Sequence, residues 1–316
     1  MFNPNNPLDN EPTVGASLLA KNFASKLAPT IGKASNGQSG FKPWILLFIM
    51  MLSGCTQVFF QPHSLLIDTP DRYGVEYQVE NIQAADGTAL NAWFLPAKGV
   101  AKATVLFLHG NAENISTHFR NVAWMPAEGF NVLALDYRGY GASGGTPSLA
   151  GMQLDIDAAM RSLLVHKGVD PDRIVIFGQS LGGALAIHYA AHSAYRARLR
   201  AIVIDSAFSD YRQVAREKLA GFFLTWPFQW LPWLTIDNDY SPVASVAALS
   251  PLPLLLIQGD RDVVVPLHHT RQLFELAAEP KERWVVPGAG HTQSLNNEAV
   301  RKRLVEFLLR HTARKQ

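Results

Sequence analysis

The sequence predicts an α/β protein, with a mostly parallel sheet of eight strands flanked by helices. Three observations lead there. From Tyr73 onward strand-like and helix-like patterns alternate, the order that places helices over the faces of a parallel sheet. Several strand-like segments are continuous apolar runs, such as ATVLFLHG at 103–110, of the kind buried on both faces. A third run, RIVIFG, meets the helix-like LGGALAIHYAAH across a single sharp turn, Gln179-Ser180.

Taken in order, the first two strands are expected at 75–82 and 90–95, separated by Asp86-Gly87, a strong hairpin signal. The remaining strands are expected at 103–110, 131–135, 174–177, 201–204, 254–257 and 283–286. Helices are expected at about 114–128, 151–167, 181–192, 267–278 and 297–311, each with apolar residues spaced near the helical period. One connection, 209–250, is far longer than a crossover needs, and insertions of that length are usually functional. It holds GFFLTWPFQWLPWL at 221–234. Two readings stand for its three tryptophans and three phenylalanines: a lid or bilayer-facing cap, or aromatic packing on their own domain.

With 316 residues, 48% of them hydrophobic, and a formal net charge of +2, the chain is an ordinary globular protein. It is long enough to bury roughly 75% of its unfolded surface. Basic residues are scattered, with one short cluster at Arg301, Lys302 and Arg303, so no electrostatic footprint for nucleic acid is present. No zinc-type Cys or His-Glu motif occurs, and neither a metal nor another cofactor is expected.

The single cysteine, Cys55, excludes an internal disulfide. It follows WILLFIMML at 44–52, too short to span a bilayer, which takes about 20 residues, and suited to the apolar core of a signal peptide. Leu52-Ser53-Gly54-Cys55 resembles a bacterial lipobox, in which the cysteine is lipidated and becomes the mature N-terminus. A plain N-terminal anchor and a buried strand are the other readings. The resulting division is a leader at 1–54, a linker at 55–72 and an α/β domain at 73–316 with a cap insert at about 209–250. Thr56 after the cysteine implies, by the same resemblance, an outer-membrane lipoprotein facing the periplasm.

Gly178-Gln179-Ser180-Leu181-Gly182 fits G-x-S-x-G between a strand and a helix, the context a nucleophilic serine needs. Gly178 and Gly182 permit the tight turn, and Leu181 offers a backbone N–H to an oxyanion. A serine hydroxyl needs a base within reach and a carboxylate to orient that base. Of ten histidines, His291 stands out in PGAGH, a glycine-rich loop between the last expected strand and the final helix. The stretch PLLLIQGDRD offers two carboxylates, Asp260 and Asp262. In the loop FLHGNAEN, Asn111, or else Ala112, is expected to complete the oxyanion hole through its backbone, while His109 shapes the loop.

The sequence GDRDVVVP resembles the G-x-x-D-x-x-V-P loop of α/β-hydrolases, which assigns the acid to Asp262. LHGNAEN, DYRGYGASGG and DRIVIFGQSLGG extend that resemblance over about 73–311, towards serine aminopeptidase-like hydrolases and their membrane-associated bud-emergence branch. The implied fold is the α/β-hydrolase fold with a cap after strand six. The implied activity is hydrolysis of a small acyl ester or thioester by Ser180, His291 and Asp262, without a cofactor. A peptidase or amidase of the same fold, and a lipid-anchored binding protein without turnover, are the alternatives.

Overall fold

The computed structural model describes residues 60–313; the leader, the lipobox and Cys55 lie outside them. Eight strands form the sheet: β1 (Gln78–Gln83), β2 (Ala89–Leu95), β3 (Ala103–Leu108), β4 (Phe130–Leu135), β5 (Ile174–Gln179), β6 (Leu199–Asp205), β7 (Leu254–Gly259) and β8 (Lys281–Val286). Their spatial order is β8-β7-β6-β5-β3-β4-β2-β1. β1 and β2 form an antiparallel hairpin, Gln78 opposite Phe94 and Gln83 opposite Ala89. Gly87 in its turn has φ +85°, a conformation that side chains with a Cβ avoid. β2 also runs antiparallel to β4, and β3 to β8 are parallel. Their carboxyl ends therefore share one edge, where ligand sites of such sheets form.

Alternate side chains of each central strand feed two separate cores, as the period of two demands. Leu106, Leu108, Ile176 and Ile204 point to the face covered by α1 (Leu149–Val165) and α2 (Leu181–His192), among Met152, Ile156 and Leu185. Val105, Phe107, Val175 and Phe177 point to the opposite face, against Phe119, Leu304 and Phe307. All are essentially inaccessible to solvent.

The helix expected at 114–128 is broken. It consists of one turn, Ile115–His118, and the 3₁₀ segments Phe119–Asn121 and Met125–Glu128. Pro126 lacks an N–H and clashes with a preceding carbonyl in a helix interior, so the apolar spacing continues while the helix does not. Residues 60–72, expected as linker, pack on the body. Phe60 is buried, Gln61 and Pro62 pair with Ala112 and Glu113 in a short parallel bridge, and Asp68 binds Arg120 at 2.6 Å.

The insert after β6 begins with α3 (Tyr211–Ala220), capped by Asp210, whose carboxylate accepts the Gln213 N–H at 2.8 Å. Short turns at Trp226–Phe228, Pro232–Thr235 and Pro242–Ser245 follow. Tyr211 and Tyr240 of the insert pack on the core, but the phenylalanines and tryptophans of 221–234 do not. Among the described residues every exposed phenylalanine and tryptophan lies here, namely Phe222, Phe223, Trp226, Phe228, Trp230 and Trp233. Two further helices, α4 (His268–Leu276) and α5 (Glu298–Thr312), flank β8 in sequence.

Candidate active site

Ser180 sits at the turn from β5 to α2 with φ +53° and ψ −115°. A non-glycine residue costs on the order of 1–3 kcal/mol in such a region unless its surroundings enforce it. Here they do. A Cβ on Gly178 would lie 2.4 Å from the Gly182 carbonyl oxygen, and one on Gly182 would lie 2.1 Å from that of Leu108. Only glycines let helix, turn and strand approach so closely. The Ser180 N–H donates to the Asp205 carbonyl at 2.9 Å, binding the turn to the end of β6.

His291 stands in the loop after β8, and its Nδ1 lies 2.8 Å from Asp262 Oδ2. Asp262, after β7, accepts the N–H groups of Val264 and Val265 at 2.9 and 2.8 Å through its other oxygen. Burial alone would raise the Asp262 pKa, but the hydrogen bond and charge of His291, with those two N–H groups, hold it below the ordinary value. Asp260 instead accepts the Gly288 N–H at 2.6 Å. Between the two carboxylates the geometry pairs Asp262 with the imidazole.

The loop after β3 abuts the serine. A side chain on Gly110 would lie 3.4 Å from His118 and 3.6 Å from Ser180 Cβ. Asn111 turns its side chain away to accept the Gln61 N–H at 3.2 Å and the Tyr140 hydroxyl at 2.9 Å. Leu181 begins α2 and is fully buried. His109 is also buried, with Nδ1 2.7 Å from the Gly110 carbonyl and its ring against Tyr137, in keeping with a part in shaping the loop. The DYRGYG segment is scaffolding: Arg138 binds buried Asp155 through Nε and Nη2 and reaches Asp86 at 2.7 Å.

Three groups near the site carried no local signal in the sequence. Asp205, wholly buried at the end of β6, accepts from Gln179 Nε2 at 2.9 Å, Ser206 Oγ at 3.1 Å and Ser294 Oγ at 2.9 Å. Ser206 Oγ in turn accepts the Thr292 N–H at 3.1 Å. One carboxylate thus binds the serine turn and the histidine loop together. Burial raises its pKa, although those three donors and the nearby His291 pull the other way. His118, beside Gly110, is brought down to about 3, first by desolvation and then by His109, so it is neutral. Lys218 of α3 lies within electrostatic reach of Asp262, and burial lowers its pKa.

Among the described residues Glu217, His268 and His269 are the cluster spaced for a metal. His269 Nδ1 accepts the Ser209 N–H at 3.2 Å, so the proton sits on Nε2, which donates to Glu217 at 3.0 Å. A cation there would displace that proton. His268 Nε2 also meets Glu217, at 2.9 Å, and the three residues latch the cap helix α3 to α4.

All four non-glycine residues with positive φ among those described, Glu113, Ser180, Ser206 and Thr292, lie in loops at the carboxyl edge. Strain concentrated in this way marks a functional site. The strand order, the strained turn and the paired histidine and aspartate define an α/β-hydrolase. The family profile described as serine aminopeptidase, S33, matches residues 99–248, and that of a TAP-like protein matches 233–316. YfhR of Escherichia coli K12, an uncharacterized protein, is 34% identical over 282 residues, 84% of this chain and 94% of its own length. Bem46 of Schizosaccharomyces pombe is 26% identical over 248 residues, 77% of this chain and 80% of its own. The solved structure of the Pyrococcus furiosus esterase Pf2001 superposes with a TM-score of 0.68 at 25% identity, covering 80% of this chain and 98% of that one. The chain belongs to the α/β-hydrolases, and it is similar to their serine aminopeptidase-like and bud-emergence-type members.

Proposed function

We propose that the protein is a serine hydrolase that cleaves an acyl ester or thioester through a covalent acyl-enzyme. One juxtaposition carries the reading: the His291–Asp262 pair at 2.8 Å stands on the same sheet edge as Ser180 on its strained turn. With Nδ1 bonded to Asp262, Nε2 is the nitrogen that takes the Ser180 proton. Ser180 Oγ then adds to the carbonyl carbon, and the carbonyl electron pair moves onto oxygen. That oxyanion accepts the backbone N–H groups of Leu181, in the first helical turn where N–H groups lack intrahelical acceptors, and of Asn111. Each such donor contributes about 3 kcal/mol to the transition state. Collapse expels the alcohol or thiol, which leaves with the proton from His291. Water, giving its proton to His291, adds to the acyl-enzyme, and a second collapse frees the acid and restores Ser180.

The esterase likeness favours an ester, and the peptidase name of the family profile favours an amide. Turnover of an acyl-ester series against aminoacyl anilides separates them. A fluorophosphonate probe should label Ser180 and no other residue, as located by peptide mass spectrometry. An unlabelled protein would instead be the catalytically silent binding protein.

We also propose that Cys55 is lipidated and holds the enzyme at the outer membrane, facing the periplasm. The support is the sequence Leu52-Ser53-Gly54-Cys55 behind its apolar run. Metabolic palmitate should label the wild type and not Cys55→Ala, and an unprocessed N-terminus in the mature protein would favour a plain anchor.

A further inference from the structure

We infer that the cap is a membrane-docking surface which lays the carboxyl edge of the sheet, with Ser180 in it, against a lipid bilayer. The large apolar side chains of the cap are held out into solvent: Phe223 is 84% exposed, Trp226 62% and Leu234 76%. Residues 219–236 contain no charged side chain and are bounded by Lys218 and Asp237. An exposed apolar patch of this kind marks an interaction site, and tryptophan with phenylalanine and leucine is the composition that settles at the bilayer interface. Arg216 stacks over Trp233, 5.9 Å from the ring centre, which sets a guanidinium at the rim of the patch where lipid phosphates lie.

The path of the chain selects a bilayer over a soluble partner. It enters the described structure at the same carboxyl edge, where Gln61 and Pro62 pair with Ala112 and Glu113 in the loop after β3. Leu65, Leu66 and Ile67 are exposed there too, held by Asn114 and Ser116. Cys55 precedes Phe60 by five residues, and an extended chain advances at most about 3.6 Å per residue. Attachment through Cys55, as proposed above, or through the apolar run at 44–52 would hold this edge, rather than the opposite one, beside the lipid. Two apolar surfaces and the tether converge on one end of the molecule. The benefit to an acyl substrate rests on the hydrolase reading above; the docking itself does not.

The test uses full-length protein carrying Trp44→Phe, bound to vesicles of an equal mixture of phosphatidylcholine and phosphatidylglycerol, with or without brominated acyl chains. Bromine should quench about half of the tryptophan emission, since interfacial rings sit at the headgroup boundary. That quenching should vanish when Trp226, Trp230 and Trp233 are also changed to phenylalanine, which keeps the patch apolar and leaves Trp93, Trp124 and Trp284 as internal references. Vesicle-bound protein whose cap tryptophans respond to aqueous acrylamide and not to bromine overturns the proposal. Protection from both quenchers, the signature of a second copy or a lid closed on its own domain, overturns it equally. No turnover enters the readout, so a failure of docking and a failure of the catalytic reading are told apart.

Discussion

The serine turn and the cap share one edge of the sheet and are built in opposite ways. Around Ser180 the backbone is fixed from every side: glycines admit contacts that any Cβ would block, and Asp205 binds two loops with one carboxylate. The cap has short turns, exposed apolar side chains, and a polar latch from Glu217 to His268 and His269. The contrast teaches what each part is selected for. On the readings proposed above, a proton-transfer site would tolerate misplacement of only a fraction of an ångström, whereas a surface that partitions into lipid would need composition more than geometry.

Substitutions can break that contrast or sharpen it. The largest effect should come from Ser180→Ala, which should lower kcat for p-nitrophenyl acetate by about 10⁴ to 10⁶ with an unchanged melting temperature. Retained turnover would remove the serine from the chemistry. Asp262→Asn should cost about 10⁴ in kcat, because the amide stabilises the wrong tautomer of its histidine, while Asp260→Asn should change little. The reverse ranking would reassign the acid.

A smaller loss, about 10² in kcat, should follow Asp205→Asn, since a misplacement of about 1 Å costs that much. With its oxygen turned to the Gln179 NH₂, itself fixed by Asn121 at 2.7 Å, the new amide sets its own NH₂ against the Ser206 and Ser294 hydroxyls that donate to Asp205, and the lost pair of hydrogen bonds should shift both loops. Because this residue positions others, kcat should fall with KM nearly constant and the pH profile should change. A variant losing only stability would limit Asp205 to the scaffold.

In the cap, alanine at Trp226, Trp230 and Trp233 should raise KM for medium-chain esters more than for acetate esters, with probe labelling of Ser180 intact. Each large side chain buried against an acyl chain is worth about 1.5–3 kcal/mol. Equal effects on both substrates would remove the three tryptophans from acyl-chain binding. The smallest effect concerns pH. Burial depresses the His269 pKa, so the folded state binds fewer protons than the unfolded chain below the ordinary value of about 6.5. The stability carried by burying a neutral His269 is complete above that value and declines as pH falls towards the depressed one, against the opposing pull of Glu217. Protection of the α3 amides, measured by hydrogen exchange relative to the intrinsic rate at each pH, should fall as pH drops below about 6.5, and Glu217→Ala should show the lower protection already at neutral pH.

Much of this architecture was legible in the sequence because it is written in local patterns. Apolar runs located the six parallel strands, Asp86-Gly87 the hairpin of the first two, and G-x-S-x-G with its flanking strand and helix the serine turn. The histidine and its carboxylate were legible through their loops. The break at Pro126 was missed because apolar spacing outweighed a single proline. Asp205 ends an apolar run like any strand residue, and Ser294, one of its partners, lies 89 positions away, so no local pattern reveals it. The latch spans 51 and 52 positions in the same way. For the aromatic insert the pattern supported both readings equally, since composition does not say which way a ring faces.

The two-residue bridge between Gln61–Pro62 and Ala112–Glu113 makes the tether and the loop beside Ser180 one mechanical unit. Asn111 belongs to it as well, through the Gln61 N–H. Were the N-terminus anchored as proposed, a pull on it would be delivered first to the backbone that would cradle the oxyanion, and a soluble fragment trimmed past Pro62 would lose that brace while keeping Ser180, Asp262 and His291. Where the chain is cut thus becomes a choice about catalysis as much as about solubility.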